Sequence, residues 1–468
     1  MRRSLIAAVA VATLATPFAV VATAGSAAAA PAAAAASKPV TDFNHDGYAD
    51  LAVSAPGGTV DGAKGAGYVS VVYGSASGAD TTHAKQIDRT TPGVPADPED
   101  NGGFGSSTTG DLDGDGYTDL VVHNGKVDGV VWGSADGLTK GGPLVGDYTD
   151  QLKAGDFNGD GKTDLVTSAQ DKMEVRYGPF TRDGKPASTS SVENGDDGPQ
   201  DLIVGDVTGD GADDLVTGHA MEEMQHSSRL WKGSKDGLSK TSTPTKKFTT
   251  NGVIADVDKD GYGDLVAHEV DEVSETQVYD AGAIRVIYGS KSGFSTRTAK
   301  IDQDTAGVPG ASEAAEINGP EYGDQFGYSL ASGDVTGDGY ADIVVGVPGE
   351  NLGNVADAGA VVLLKGGANG LTGTGAQAFN QDTAAVPGVS EKGDYFGEEV
   401  QLNDVNKDGL ADLSVGVPQE DGTTKDSGAA WLFRGAKTGL TTTGITSFSP
   451  SSLGTPEAGA RFGSGITG

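Results

Sequence analysis

The sequence contains no cysteine, so neither disulfides nor thiolate metal sites are available to this chain. Aromatic residues are also scarce, at 6% of the chain, while glycine occurs 74 times. This balance is typical of many short strands joined by tight turns, and it argues against a helical protein. The fold must therefore be stabilised by a large core or by some staple other than disulfides.

Basic residues are outnumbered, since 32 lysines and arginines face 66 acidic residues and the formal net charge is −34. A protein that binds nucleic acid needs a basic patch for the phosphates, so nucleic acid is excluded as the expected partner. The acidic balance fits either a solvating surface or a cation-binding protein. The positions of the acidic residues distinguish these two interpretations.

Long apolar runs are absent except at the N-terminus. There Arg2 and Arg3 precede an apolar run from Leu5 to Val21, and an alanine-rich stretch follows from Ala24 to Ala36. This order predicts a secretory signal peptide and processing region over residues 1–36, exported by the general secretory route. No later stretch approaches the roughly 20 apolar residues of a spanning helix. We expect a monomer that is released outside the cell, without a membrane span.

One nine-residue pattern, D-x-D/N/T-x-D-G-x-x-D, occurs seven times. The copies, which we number loops 1 to 7, span residues 42–50, 111–119, 156–164, 206–214, 256–264, 334–342 and 404–412. A short run rich in β-branched residues follows each loop, and a second run that ends in glycine comes next. A strand before the loop is visible from Phe104, Phe326 and Phe396. Four strands in each repeat predict an all-β, seven-bladed propeller over residues 37–468.

The two chain ends fit the same architecture. Loop 1 begins almost at the expected mature N-terminus, so its blade lacks a preceding strand. Residues Phe462 to Ile466 can supply that strand from the C-terminal end. Because closure removes the open edges of the sheets, we expect the C-terminal strand to join the N-terminal blade and close the ring.

The repeats resemble the FG-GAP repeat family, typified by the N-terminal seven-bladed propeller of integrin α chains. The three Phe-Gly pairs stand at the family's first element, and Gly-Val-Pro at Gly346 and Gly416 and Ser-Ala-Pro at Ser54 stand at its second. Repeats 3, 4 and 5 keep the loop but lose both elements. The resemblance implies calcium in every loop and a partner-binding face at the opposite end of the blades. With its signal sequence and no cysteine, the chain looks like a bacterial secreted member.

The loop pattern itself predicts calcium, a hard ion that takes six to eight oxygens at about 2.3–2.6 Å. Positions 1, 3 and 5 offer side-chain oxygens, glycine at position 6 permits a sharp turn, position 7 offers its carbonyl, and position 9 closes the shell. We expect up to seven Ca²⁺ ions. The predicted ligands are Asp42, Asn44, Asp46, Tyr48, Asp50; Asp111, Asp113, Asp115, Tyr117, Asp119; Asp156, Asn158, Asp160, Lys162, Asp164; Asp206, Thr208, Asp210, Ala212, Asp214; Asp256, Asp258, Asp260, Tyr262, Asp264; Asp334, Thr336, Asp338, Tyr340, Asp342; and Asp404, Asn406, Asp408, Leu410, Asp412.

Two alternatives to a propeller calcium loop use a similar string. EF-hand and dockerin loops need an acidic residue at position 12 between helices, whereas position 12 here falls inside a predicted strand in every copy. Asp-Gly turns without metal would leave three close carboxylates repelling one another in each of seven repeats. Position 3 also suggests an order of affinity. The expected order, tightest first, is Asp113 and Asp258, then Asn44, Asn158 and Asn406, then Thr208 and Thr336.

The functional surface is expected on the face opposite the loops, with the ions acting as structural clamps in each blade. Propellers present wide, loop-built faces, which favours an adhesion or ligand-binding module for an unidentified extracellular protein or polysaccharide. The alternative is an extracellular polysaccharide lyase or hydrolase on the same propeller. No catalytic constellation is recognisable in the sequence, but His123, His219 and His268 all stand where the strand after a loop ends.

Overall fold

The computed structural model describes residues 40–95, 103–124, 127–146, 149, 151–169, 172–192, 201–218, 227–270, 279–316 and 322–468. The predicted signal peptide, residues 1–36, lies outside the described residues. Within them the fold is a seven-bladed β-propeller with one antiparallel four-stranded sheet per blade. The predicted fold class and number of blades are therefore confirmed.

The strands follow one another blade by blade, and we number the blades after their loops. Blade 1 contains β1 (Leu51–Ala55), β2 (Tyr68–Tyr73) and β3 (Asp80–Ile87). Blade 2 contains β4 (Gly105–Gly110), β5 (Asp119–Asn124), β6 (Val127–Trp132) and β7 (Lys140–Pro143). Blade 3 contains β8 (Gln151–Gly155), β9 (Asp164–Ala169), β10 (Lys172–Tyr177) and β11 (Ser188–Val192). Blade 4 contains β12 (Asp201–Gly205), β13 (Asp214–Gly218), β14 (Arg229–Trp231) and β15 (Thr243–Pro244).

The remaining blades repeat this order. Blade 5 contains β16 (Thr249–Ala255), β17 (Asp264–Glu269), β18 (Ile284–Ile287) and β19 (Thr298–Ile301). Blade 6 contains β20 (Leu330–Gly333), β21 (Asp342–Val347), β22 (Ala360–Leu364) and β23 (Gln377–Phe379). Blade 7 contains β24 (Glu399–Asn403), β25 (Asp412–Val417), β26 (Ala429–Arg434) and β27 (Thr441–Phe448). A short helix α1 (Pro450–Leu453) and strand β28 (Ile466–Thr467) end the chain.

The C-terminal strand joins blade 1 and closes the ring as predicted, but this strand begins at Ile466 instead of Phe462. Strand β28 pairs antiparallel with β1, matching Ile466 with Val53 and Thr467 with Ala52, and it completes blade 1. The strands that precede the loops, with β28 taking that place in blade 1, contact one another from blade to blade around the whole ring. These strands are therefore the innermost in each blade.

The hydrophobic core lies between neighbouring blades, because each sheet packs its two faces against two other sheets. The strands after the loops are consequently buried along their whole length, as in β1, β21 and β25. One cluster joins Val344 of blade 6 to Val415 and Trp431 of blade 7. Burial on both faces explains why these strands read as continuous apolar runs instead of alternating ones.

The Phe-Gly pairs correct one expectation about strand boundaries. Strands β20 and β24 begin at Leu330 and Glu399, several residues after Phe326 and Phe396. Gly327 and Gly397 have φ values of +100° and +93°, so each pair forms a turn that leads into the strand. The phenylalanines are fully buried in the core between the blades. Repeats 3, 4 and 5 lack the pair yet form the same four strands.

Candidate metal centres

All seven loops lie at one end of the blades, because each loop directly precedes the second strand of its blade. The glycines at position 6 have φ values from +79° to +90°, as the predicted sharp turn requires. Position 4 is left-handed as well in every loop. Glycine stands there in loops 2, 3, 4 and 6, but His45, Lys259 and Lys407 adopt the same conformation in the others.

The carboxylate at position 1 organises each loop from within. One oxygen accepts the N–H of position 5 at 3.0–3.2 Å, and the other accepts the N–H of Gly at position 6 at 2.7–2.9 Å. The carboxylate at position 5 accepts the N–H of position 7 at 3.0–3.1 Å. The same bonds recur in all seven loops, so the predicted ligands are held in one repeated geometry.

The aspartate at position 9 is completely buried in every loop. Its Oδ1 accepts the N–H of the glycine that follows the third strand of the blade, at 2.8–3.0 Å. In loops 1 to 6 its Oδ2 accepts the N–H of position 2 at 2.8–3.1 Å. In loop 7 the Oδ2 of Asp412 lies 3.0 Å from Nη1 of Arg434 instead.

Burial raises the pKa of these carboxyl groups, although the backbone donors oppose the shift. The pKa rises to about 7 for Asp50, Asp119, Asp164, Asp214 and Asp264, and to about 6 for Asp342 and Asp412. Neighbouring carboxylates of the same loop push the pKa in the same direction. A bound cation would remove that cost by favouring the ionised form.

Position 3 divides the loops into two groups. In loops 1, 2, 3 and 7 the side-chain Oδ1 accepts the N–H of position 5 at 2.9–3.3 Å. In loops 4, 5 and 6 the Oγ1 of Thr208, Oδ1 of Asp258 and Oγ1 of Thr336 are buried and have no hydrogen-bond partner. Buried polar atoms are rarely left unpaired, so these three oxygens are suited to coordinate a ligand.

The donor set fits calcium. The three loop carboxylates Asp111, Asp113 and Asp119 can bring one oxygen each within 4.8 Å of one another, and so can Asp256, Asp258 and Asp260. These are the two loops with aspartate at position 3. Every predicted ligand is an oxygen, which is the ligand type that calcium prefers. An ion held here would supply positive charge among at least three carboxylates and pin the turn between two strands.

Arginines near the loops were missed by sequence reasoning. Arg182 lies 2.6 Å from the Oδ2 atoms of both Asp113 and Asp115, and Arg297 pairs with Oδ2 of Asp258. Both arginines come from segments after the third strand of a blade, far from the loop in sequence. No spacing rule links them to the loops, so the sequence carries no signal for these contacts.

Neighbouring loops are also joined to one another. The N–H of position 8 donates to the carbonyl of position 1 in the preceding loop at 2.7–3.4 Å. The six bonds of this kind are from Ala49 to Asp404, Thr118 to Asp42, Asp213 to Asp156, Gly263 to Asp206, Ala341 to Asp256 and Ala411 to Asp334. The tyrosines at position 7 add side-chain contacts between neighbouring loops. Lys259 lies over Tyr340, Lys407 over Tyr48, and His45 beside Tyr117.

The opposite end of blades 5 to 7 carries a cluster of tyrosines. The rings of Tyr279 and Tyr322 lie 6.5 Å apart, and those of Tyr322 and Tyr395 lie 5.8 Å apart. Tyr322 is 40% exposed, and Tyr328 is 41% exposed.

Of the three candidate histidines, the structure describes His123 in blade 2 and His268 in blade 5. Nδ1 of His123 lies 2.9 Å from Asp128, and His268 pairs in register with Thr250 and Ile284 inside its sheet. His219 lies outside the described residues.

Comparison with known families gives the repeats a name. Residues 39–72, 151–185, 326–364 and 396–433 match the FG-GAP repeat, and residues 111–167 match an FG-GAP-like repeat. Loops 1, 2, 3, 6 and 7 fall inside these segments. The chain contains FG-GAP repeats. Repeat 3 of this FG-GAP propeller matches even though it lacks the Phe-Gly pair.

Several curated proteins share part of the FG-GAP propeller. Integrin alpha-PS5 of Drosophila melanogaster is 33% identical over 125 residues, which are 26% of this chain and 11% of that protein. Phosphatidylinositol-glycan-specific phospholipase D of Bos taurus is 33% identical over 117 residues, 25% of this chain and 14% of that protein. The similarity thus spans about a tenth of each relative.

Among solved structures, an Agrocybe aegerita lectin that recognises non-reducing terminal N-acetylglucosamine superposes with a TM-score of 0.49 at 15% identity. The superposition covers 88% of this chain and 94% of the lectin. Within the part of the chain that the structure describes, no helix is long and apolar enough to cross a bilayer.

Proposed function

We propose that the FG-GAP propeller binds calcium in its seven loops and that the ions act as clamps between the strands of each blade. The observation that supports this most directly is the set of unpaired, buried oxygens at position 3 of loops 4, 5 and 6. Each of these oxygens belongs to a loop whose other predicted ligands are ordered by the same backbone bonds. A divalent cation would pair these oxygens and ionise the buried carboxyl at position 9.

Calcium binding would then be linked to folding. An ion that binds the folded loop but not the unfolded chain stabilises the protein by mass action, and seven sites add their contributions. This replaces the stabilisation that a chain without cysteine cannot obtain from disulfides.

Thermal unfolding in chelator and in calcium tests the clamp. We expect the melting temperature of the chelator-treated protein to fall by well over 10 °C and to recover on adding calcium, with magnesium restoring much less. An unchanged melting temperature after exhaustive chelation would refute the structural role. Calorimetric titration of the chelated protein gives the number of ions bound, for which we expect up to seven.

The opposite face is proposed to bind an extracellular protein or polysaccharide. The exposed tyrosines Tyr322 and Tyr328 support this, because aromatic side chains are enriched where proteins contact ligands. The chain would act as a secreted adhesion or ligand-binding module, with the calcium loops supporting that face from the other end of each blade.

A binding screen on glycans and cell-wall fractions, with and without calcium, tests the module. Retention should require calcium and should be lost in the variants Tyr322→Ala and Tyr328→Ala, while the melting temperature stays unchanged. The exposed Val40→Ala variant is the control, since it removes a surface apolar side chain beside loop 1, at the other end of the blades. Turnover of a polysaccharide, with loss in a His268→Ala variant, would instead support the enzyme alternative.

A further inference from the structure

Loop 5 contains a guanidinium contact on its position 3 aspartate. Arg297 pairs with Oδ2 of Asp258, whose side chain is only 5% exposed. The arginine is fixed on its other sides, because its Nη2 donates to the carbonyl of Asn369 at 2.7 Å and its guanidinium stacks 3.5 Å from the ring centroid of Tyr288. The Oδ1 of Asp258 is left unpaired. The arginine thus pairs with Oδ2 of Asp258 and leaves Oδ1 to a ligand.

Loop 2 shows the same contact, built from a different part of the chain. Arg182 of blade 3 reaches across to blade 2, where its Nε and Nη2 lie 2.6 Å from Oδ2 of Asp113 and Oδ2 of Asp115. The guanidinium lies 5.3 Å from the ring centroid of Trp132. In blade 5 the arginine belongs to the same blade as its loop. Two unrelated segments therefore place a cation on the same loop position.

The two loops share one further property. Loops 2 and 5 have aspartate at all four of positions 1, 3, 5 and 9, while the other loops have aspartate at three of these positions. An arginine on position 3 reduces the charge at these four positions from −4 to −3, which is the charge at the same positions of the other loops. The fourth carboxylate is therefore paired in both places where it occurs.

We propose that Arg182 and Arg297 are built-in cations that hold loops 2 and 5 in their folded form without calcium and lower the affinity of these loops for it. This inference rests on the proposed calcium binding. In the ion-free loop, the arginine is attracted strongly by four carboxylates whose charge is not neutralised. A bound divalent ion neutralises part of that charge and also repels the arginine. The arginine therefore stabilises the ion-free loop more than the loaded loop. The expected rank of Asp113 and Asp258 as the tightest sites is then opposed by their arginines.

The test compares Arg182→Gln and Arg297→Gln with the wild-type full chain, by melting in chelator and in calcium and by calorimetric titration with calcium chloride. Each variant should melt several degrees lower in chelator, within about two degrees of wild type in calcium, and should bind one ion about tenfold more tightly. Arg297→Lys keeps the charge, so its ion affinity should return close to wild type. Arg285→Gln is the control, because Arg285 pairs with Glu269 at the other end of the blade. It should lower both melting temperatures equally.

The outcomes separate this inference from the proposed function. Calcium that fails to bind or to stabilise the wild type overturns the proposed function, and the chelator melts of the variants still show whether the arginines support the ion-free loops. If wild type binds calcium but the glutamine variants bind it more weakly, or lose equal stability in both conditions, the arginines are ordinary structural ion pairs and the inference is wrong.

Discussion

The aspartate at position 9 has two roles at the scale of single residues. Its oxygens join the loop to the third strand of the blade, as Asp214 accepts the N–H of Val207 at position 2 and that of Gly233 after β14. In the proposed site the same carboxylate also faces the ion. The position 5 aspartate of the same loop, Asp210, is exposed and accepts the N–H of Ala212 within the loop. Substitutions at the two positions should therefore have different effects.

Asp214→Asn should lower the free energy of unfolding by about 2 kcal/mol or more even in chelator, because its amide turns an N–H group toward a buried backbone donor. Asp210→Asn keeps an oxygen for Ala212, so it should lower stability only when calcium is present. Urea unfolding of both variants in chelator and in calcium measures the difference. Equal losses in chelator would show that position 9 has no separate structural role.

Asp324, at the opposite end of blade 6, predicts a pH dependence. It is 1% exposed, and burial raises its pKa to about 7, with Glu350 and Glu313 adding to the shift. Its folded pKa exceeds the unfolded value near 4, so the stabilisation is present at low pH and is lost as the pH rises toward 7. Asp324→Asn cannot ionise and should gain on the order of 2 kcal/mol at pH 8, and less at pH 5.

Urea unfolding at pH 5 and pH 8, at fixed calcium, measures this gain. The exposed Asp304→Asn is the control, because Asp304 also accepts one backbone N–H, from Ser312. A gain for Asp324→Asn that is as large at pH 5 as at pH 8 would contradict the assigned ionisation.

At the scale of elements, the sequence predicts the strands better than the turns. Strands such as β1, β21 and β25 could be predicted because burial on both faces demands continuous apolar runs. The start of β20 and β24 could not, because a Phe-Gly pair reads as the first residues of a strand. The left-handed backbone conformation at position 4 was not predicted either, because three loops have His45, Lys259 or Lys407 there instead of glycine. The arginine contacts depend on tertiary packing alone.

The Phe-Gly turn makes a prediction about one glycine. Gly359 has φ of +83°, and a Cβ there would lie 2.3 Å from the backbone N of Phe396. Gly353 has φ of +66°, and a Cβ there would meet nothing within 4 Å. Gly353→Ala should therefore cost only the backbone strain, about 1 kcal/mol. Gly359→Ala should cost about 3 kcal/mol or more by urea unfolding, and similar costs would show that the close approach relaxes freely.

At the scale of the whole molecule, backbone hydrogen bonds join six of the seven neighbouring pairs of loops. The position 1 aspartate offers its side chain to the proposed ion and its carbonyl to the N–H of the next loop. An ion lost from one loop should loosen that carbonyl and the neighbour that bonds to it. Calcium binding is therefore expected to spread from loop to loop, because one residue belongs to both contacts.

Hydrogen exchange measures this coupling. In calcium, Asp210→Asn in loop 4 should speed exchange of the Gly263 N–H, which donates to Asp206. Exchange at Ala341, which donates to Asp256 one loop further on, should change much less. Uniform acceleration at both amides would indicate global destabilisation, and no acceleration at Gly263 would show that the loops act independently.

The pairing of β28 with β1 has a consequence for the order of folding. Val53 and Ile466 are partners although 413 residues separate them, from 466 − 53. Contacts this distant in sequence form late, and they slow folding. Until the last strand arrives, β1 keeps an open edge to which another chain could add. We therefore expect this protein to be most prone to aggregation after blade 7 has formed and before β28 pairs with β1. In that interval six blades are complete, and the open edge of blade 1 can still pair with another chain.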